Sequence, residues 1–198
     1  MDIENVDYGE KLEEGKQVLS EFVQTILDKD GIDYIIEDHE LKKCFKYSCD
    51  RDDKHIDIEI WVWLGYITIR CIYPFLVQPS DRACMALLIS EINNNKNKPF
   101  VKFDISTGII YVENSVITYG CVDLDERVIS GEIHISIDRT FSYYEDLCNV
   151  ITGNLTKEQR DHYRALLFSG LSELDEHEIL NENEFEIGKN IGDELPFC

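Results

Sequence analysis

Apolar residues in the first thirty positions recur at helical spacing. Leu12, Leu19, Phe22, Val23, Ile26 and Leu27 fall on one stripe, with Glu13, Glu14, Gln17 and Glu21 opposite, which predicts a helix from about Glu10 to Asp28. Asp30-Gly31 ends it. The period then drops to two, and four short strands are expected near 32–36, 41–49, 56–63 and 66–73. The third and fourth form a hairpin turning at Leu64-Gly65. Its register sets Ile60 opposite Ile69 and Val62 opposite Ile67 on one face, and Glu59 opposite Arg70 and Trp63 opposite Tyr66 on the other. One register satisfies both faces, which is the argument for it. Leu64 suits a primed two-residue turn poorly, so a looser tip is expected there.

Pro79-Ser80-Asp81 opens a second helix with Ser80 as the expected N-cap and Cys84, Leu87, Leu88 and Ile92 as its buried stripe; Asn93-Asn94-Asn95 closes it. A second hairpin follows, Phe100–Ile105 and Ile109–Ile117, joined by Ser106-Thr107-Gly108 with the glycine in the left-handed region. Ile133, Ile135 and Ile137 alternate like a strand. The longer series Ile133, Ile137, Phe141, Tyr144, Cys148, Ile151 is helical throughout and predicts a helix over about 131–151, with Ser130 as N-cap. A last helix begins at Thr156, where Gln159 completes a capping box, and stops at Gly170.

These elements predict an α+β domain over residues 1–170, an antiparallel sheet with flanking helices in the order α-β-β-β-β-α-β-β-α-α. Residues 171–198 are expected to form an acidic extension, partly ordered at best. A hydrophobic fraction of 43% is ample for a core. The apolar stretch Ile58–Ile69 is interrupted by Glu59, Gly65 and Thr68, and falls short of the roughly 20 apolar residues of a membrane span. Met1-Asp2-Ile3-Glu4-Asn5 carries carboxylates where a signal peptide is basic, so a cytoplasmic location is expected. Seven cysteines, odd in number and irregular in spacing, read as reduced thiols and not as a disulfide framework.

Charge narrows the partners. The net charge is −21; Ser172–Cys198 contributes −8 of it and residues 1–30 contribute −6. Such a field repels nucleic acid and anionic lipid and favours a basic protein partner, although the same charge also serves solubility alone.

Candidate chemistry is sparse. His39, Cys44, Cys49 and His55 lack the short Cys–Cys spacing of structural zinc sites, and on one strand Cys44 and Cys49 would face opposite sides. Asp28-Lys29-Asp30-Gly31 with Glu37 echoes a calcium loop, but the register puts Ile26 at the first ligand position, so a helix-ending turn is expected. Neither a metal nor a cofactor is expected, and no G-x-S-x-G, P-loop, dinucleotide fingerprint or H-E-x-x-H is present. Trp61, Trp63 and Tyr66 share a face with Glu59 and Arg70, and these five are the candidate binding residues. Left open to solvent, they form an aromatic patch with a charged rim, a composition typical of interfaces. A sheet with this many helices tends to bury both faces, which would make the tryptophans core.

The segments Leu87–Asn93, Phe100–Tyr111 and Tyr144–Gly153, in this order of elements, resemble the YbjN-type family, whose fold is similar to that of type III secretion chaperones. The resemblance covers roughly residues 12–153; the helix near 156–169 and the acidic end depart from it. It implies a small non-enzymatic protein acting through protein contacts, with homodimerisation as a possibility, and it carries no set of functional residues. The expectation is a cytoplasmic protein-binding module, chaperone-like or regulatory. The alternative is an acidic immunity or inhibitor protein that neutralises a basic toxin or nuclease by charge.

Overall fold

The structure is a computed structural model and describes residues 8–63, 65–94, 99–118, 125–159, 161–163 and 165. The chain divides into two compact units, Met1–Asn154 and Leu155–Cys198.

In the first unit, α1 (Tyr8–Lys29) leads into β1 (Ile35–His39), β2 (Lys42–Arg51), β3 (Lys54–Trp63) and β4 (Tyr66–Leu76). A 3-10 turn, Pro79–Asp81, precedes α2 (Arg82–Asn94); β5 (Phe100–Phe103), β6 (Ile109–Ile117) and α3 (Glu126–Ile151) complete it. The strands form one six-stranded sheet in the order β1-β2-β3-β4-β6-β5, and every neighbouring pair is antiparallel. The fold class is therefore α+β, and the β3–β4 register is the expected one at all four pairs.

The core lies between one face of the sheet and a layer of helices. Phe45, Ile56, Ile58, Ile60, Val62, Ile67, Ile69, Ile110 and Val112 supply the sheet side and are almost wholly excluded from solvent. Val23, Ile26 and Leu27 of α1, Met85 of α2 and Ile129, Ile133 and Leu147 of α3 meet them. α3 contacts both α1 and α2, so the three helices share one layer. A polar seam ties α3 to the sheet. Tyr73 Oη donates to Thr140 O at 2.9 Å, and Asn114 Nδ2 donates to Glu132 Oε2 at 2.7 Å. Ion pairs add to it at the β2–β3 turn, Arg51 to Asp138 and Lys54 to Glu145, each at 2.8 Å.

The helix ends follow the expected chemistry at α1 and depart from it at α2 and α3. α1 stops as expected, with Gly31 at φ +66° and Ile32 N–H donating to Leu27 O. Ser80 does not cap α2. It lies within the 3-10 turn, and the residue before that turn, Gln78, makes no side-chain cap bond. The buried stripe of α2 is Met85, Leu88 and Ile89, one position on from the expected Cys84, Leu87, Leu88 and Ile92, of which only Leu88 is buried. α3 begins five residues before the expected start, at Glu126, because Asp125 accepts a bond from Arg127 N–H and caps it. Ser130 is inside the helix, beside His134.

In the second unit the capping box is present. Thr156 N–H donates to Gln159 Oε1 at 2.9 Å, and Gln159 N–H donates to Thr156 Oγ1 at 3.1 Å. The expected boundary at 170 and the extension 171–198 lie outside the described residues. So do Leu64, Cys121 and Cys198, whereas Cys44, Cys49, Cys71, Cys84 and Cys148 are free thiols. Among the described residues, no helix is long and apolar enough to cross a membrane.

Candidate binding face of the sheet

Because the helices of this unit share one layer, the alternate residues of each strand point away from them. The pairings arrange these residues in rows across the strands. His39, Lys42, Trp63, Tyr66 and Ile117 form the first row, and Glu37, Cys44, Trp61, Thr68 and Ser115 the second. The third is Ile35, Lys46, Glu59, Arg70, Glu113 and Phe100. The expectation that the tryptophans would be core is corrected by their own exposure. Trp61 and Trp63 are half-buried against neighbours on their own face, and Tyr66 is 38% exposed.

Side-chain size shapes the surface. Thr68 and Ser115 are short, their hydroxyls 3.4 Å apart, while the residues around them are long or aromatic. The result is a depression of about 210 Å³ bounded by Lys42, Trp61, Trp63, Tyr66, Thr68, Arg70 and Glu113. Four of the five candidate residues thus surround one hollow. Glu59, the fifth, stands beside it and accepts a hydrogen bond from Trp61 Nε1 at 3.0 Å, which fixes that indole.

The rings form a continuous run. His39 stacks on Trp61 at a centroid distance of 6.0 Å, Trp61 lies 6.4 Å from Trp63, and Trp63 stacks on Tyr66 at 5.6 Å with only 13° between planes. Lys42 Nζ sits 4.0 Å from the Trp61 centroid and 4.8 Å from that of Trp63, a cation–π arrangement with both. Below them Cys44 is wholly excluded from solvent, and burial, followed by the nearby Glu59 charge, pushes its thiol up to about 12. A neutral thiol under an indole is packing, not a nucleophile.

Charges on these three rows cancel. Lys46 pairs with Glu37 at 2.8 Å and Glu59 at 3.5 Å, and Arg70 pairs with Glu113 at 2.8 Å while lying over the Tyr111 ring. Lys42, Lys46 and Arg70 balance Glu37, Glu59 and Glu113, in a chain whose net charge is −21. The sequence alone carries no signal for Lys42, Thr68 or Glu113 at this site, and it offers His39 only as a metal ligand. Lys42 is recoverable once β2 is registered on β3, since it faces Trp63.

The histidines and cysteines weighed for metal binding do not converge. Cys44 pairs with Trp61 on the open face and Cys49 with Ile56 on the core face. Among the described residues no group of three or more His, Cys, Asp or Glu side chains is placed to hold a metal ion. His55 lies beside the β2–β3 turn between two carboxylates, Nδ1 2.7 Å from Asp50 and Nε2 3.3 Å from Asp57. The hydrogen bond to Asp50 raises its pKa above the ordinary 6.5. With the folded value raised, the stabilisation is fully present below about 6.5 and is lost as pH rises through the folded midpoint. An imidazole NMR titration should place that midpoint above 6.5; a value at or below it would mean the carboxylates do not hold the proton.

A second hollow, of about 630 Å³, opens beside the end of α1, between Asp30, Asp33, Tyr47, Arg51 and His134. His134 Nδ1 is engaged with Ser130 O at 2.7 Å, and Arg51 with Asp138. Ser48, also on its wall, donates to Asp57 Oδ1 at 2.7 Å.

No family model matches the chain, and no curated protein matches it. One similar solved structure is an uncharacterized protein from Methanothermobacter thermautotrophicus. It is 16% identical, covers 67% of this chain and 98% of its own, and has a TM-score of 0.44.

Proposed function

We propose that this chain is a non-enzymatic, cytoplasmic protein-binding module, chaperone-like or regulatory, that receives its partner on the open face of the sheet. The observation that carries the reading is the half-buried run of Trp61, Trp63 and Tyr66 around a hollow, on the face turned away from the helices of its unit. Large amphipathic rings held in place add contact area at little entropic cost, and they dominate the energetics of known interfaces. The resemblance to YbjN-type proteins supports the same reading.

The test is capture of partners by the tagged chain from its native cells at low and high salt, with light scattering to fix its mass and reveal a homodimer. Trp61→Ala with Trp63→Ala should weaken capture of a specific partner by at least roughly 30-fold while the fold is retained. A folded double variant that captures every partner unchanged would place the site elsewhere.

A second reading, the acidic inhibitor of a basic toxin or nuclease, draws on a different observation. The open rows are charge-neutral, so the chain's excess acid lies off them, with −8 in Ser172–Cys198. Under that reading, deleting Ser172–Cys198 sharply weakens binding and flattens its salt dependence, whereas loss of the tryptophans matters little.

A further inference from the structure

The ring run already holds a cation, and that cation is the chain's own. Lys42 Nζ lies over both indoles, and no carboxylate pairs with it among the described residues. Of its neighbours on the face, Lys46 has two and Arg70 has one. The aromatic faces are thus the chief partner of the Lys42 ammonium. Resting on the protein-binding reading above, we propose that the Trp61–Trp63–Tyr66 shelf takes a basic side chain of the partner, and that Lys42 is the resident competitor for that position.

Two fields act at different ranges here. At long range the chain's charge of −21 draws basic segments toward it. At the shelf the ionic groups cancel, so simple charge attraction fades and the ring faces decide what settles. A guanidinium suits them better than an ammonium, because it is weakly hydrated and flat enough to stack. The Glu113 carboxylate and the Thr68 hydroxyl, both lining the hollow, can accept the donors of an incoming guanidinium; Glu113 is already bonded to Arg70, and the Ser115 hydroxyl lies 3.4 Å from that of Thr68. An arginine entering there displaces the Lys42 ammonium into solvent. The lysine then acts as a gate on affinity, weakening every basic ligand by the cost of its own displacement.

This makes a prediction with an unusual sign. Trp61 and Trp63 are the chain's only tryptophans, so intrinsic fluorescence reports directly on the shelf. The full chain is titrated with oligo-arginine and, separately, with oligo-glutamate of equal length. Three proteins are compared: wild type, Lys42→Met, and Lys102→Met, which removes the same charge from exposed Lys102 on the far edge strand. Oligo-arginine should perturb the emission and oligo-glutamate should not. Lys42→Met should bind oligo-arginine roughly three- to tenfold more tightly than wild type, with Lys102→Met changed less than about twofold.

Equal tightening in the two variants would mean that net charge alone is responsible, and would overturn the proposal. Weaker oligo-arginine binding by Lys42→Met, or preferential binding of oligo-glutamate, would make Lys42 part of an anion site and overturn it as well. If the methionine variant melts early, Lys42→Gln carries the same comparison. The protein-binding reading fails separately, when the folded double tryptophan variant still captures its partner.

Discussion

Phe45→Ala should destabilise the first unit by about 3–5 kcal/mol. Phe45 has no solvent exposure, stands opposite Ile60 and Ile36, and meets Tyr34 edge to face at 5.6 Å. Tyr34 in turn donates to Asp28 at the end of α1, so one ring links the exit of the first helix to the second strand. Truncation leaves a void bounded by β-branched residues that have little freedom to collapse into it. Against a total stability of about 5–15 kcal/mol, the loss is a large fraction and should lower the melting temperature by roughly 6–20 °C. Urea unfolding followed by far-UV circular dichroism measures it. A cost below about 1 kcal/mol would mean that this edge of the core is not closely packed.

Gly108→Ala should be nearly as severe, for a different reason. Gly108 has φ +83°, and a Cβ there would lie 2.6 Å from the carbonyl oxygen of Val77. That backbone cannot swing aside freely, since Val77 N–H donates to Gly108 O at 2.9 Å and Gly108 N–H donates to Asp104 O at 2.8 Å. Asp104 is itself held by Ser106 and Thr107. Left-handed strain and the clash together should cost about 3 kcal/mol or more. Gly31→Ala is the internal control. It has φ +66° but nothing within 4 Å of the added carbon, so only the conformational penalty remains, roughly 1–2 kcal/mol. Parallel melts of the two variants separate the contributions; equal losses would show that the contact with Val77 relaxes.

The β3–β4 hairpin was legible because two independent constraints agreed. Isoleucine and valine pairs on one side and Glu59–Arg70 with Trp63–Tyr66 on the other admit one register. β1 was placed at 32–36 but runs Ile35–His39, since a short edge strand has only one neighbour to define it. The phase of α2 was misjudged because the preceding 3-10 turn advances the chain by three residues per turn, and Cys84, Leu87 and Ile92 are apolar enough to mark an adjacent stripe. The start of α3 was hidden by Gly131, which breaks the helical pattern without breaking the helix.

For the candidate site, alternation showed that Trp61, Trp63, Tyr66, Glu59 and Arg70 share a face. It could not show which face the helices would cover, because that depends on contacts far apart in sequence, such as Tyr73 with Thr140. Lys42 escaped notice for a related reason. It is separated from Trp63 by a whole hairpin, and a single lysine on a strand carries no signal until its cross-strand neighbour is known.

A sheet that packs the helices of its own unit on one side also divides its sequence into two kinds of position. Substitutions at Ile58, Ile60 or Ile69 are answerable to folding, whereas those at Thr68, Ser115 or Tyr66 remove little buried area. Along β3 and β4 the two kinds alternate, so neighbouring residues answer to different constraints. Such a surface can change its partner in single steps without passing through unfolded intermediates.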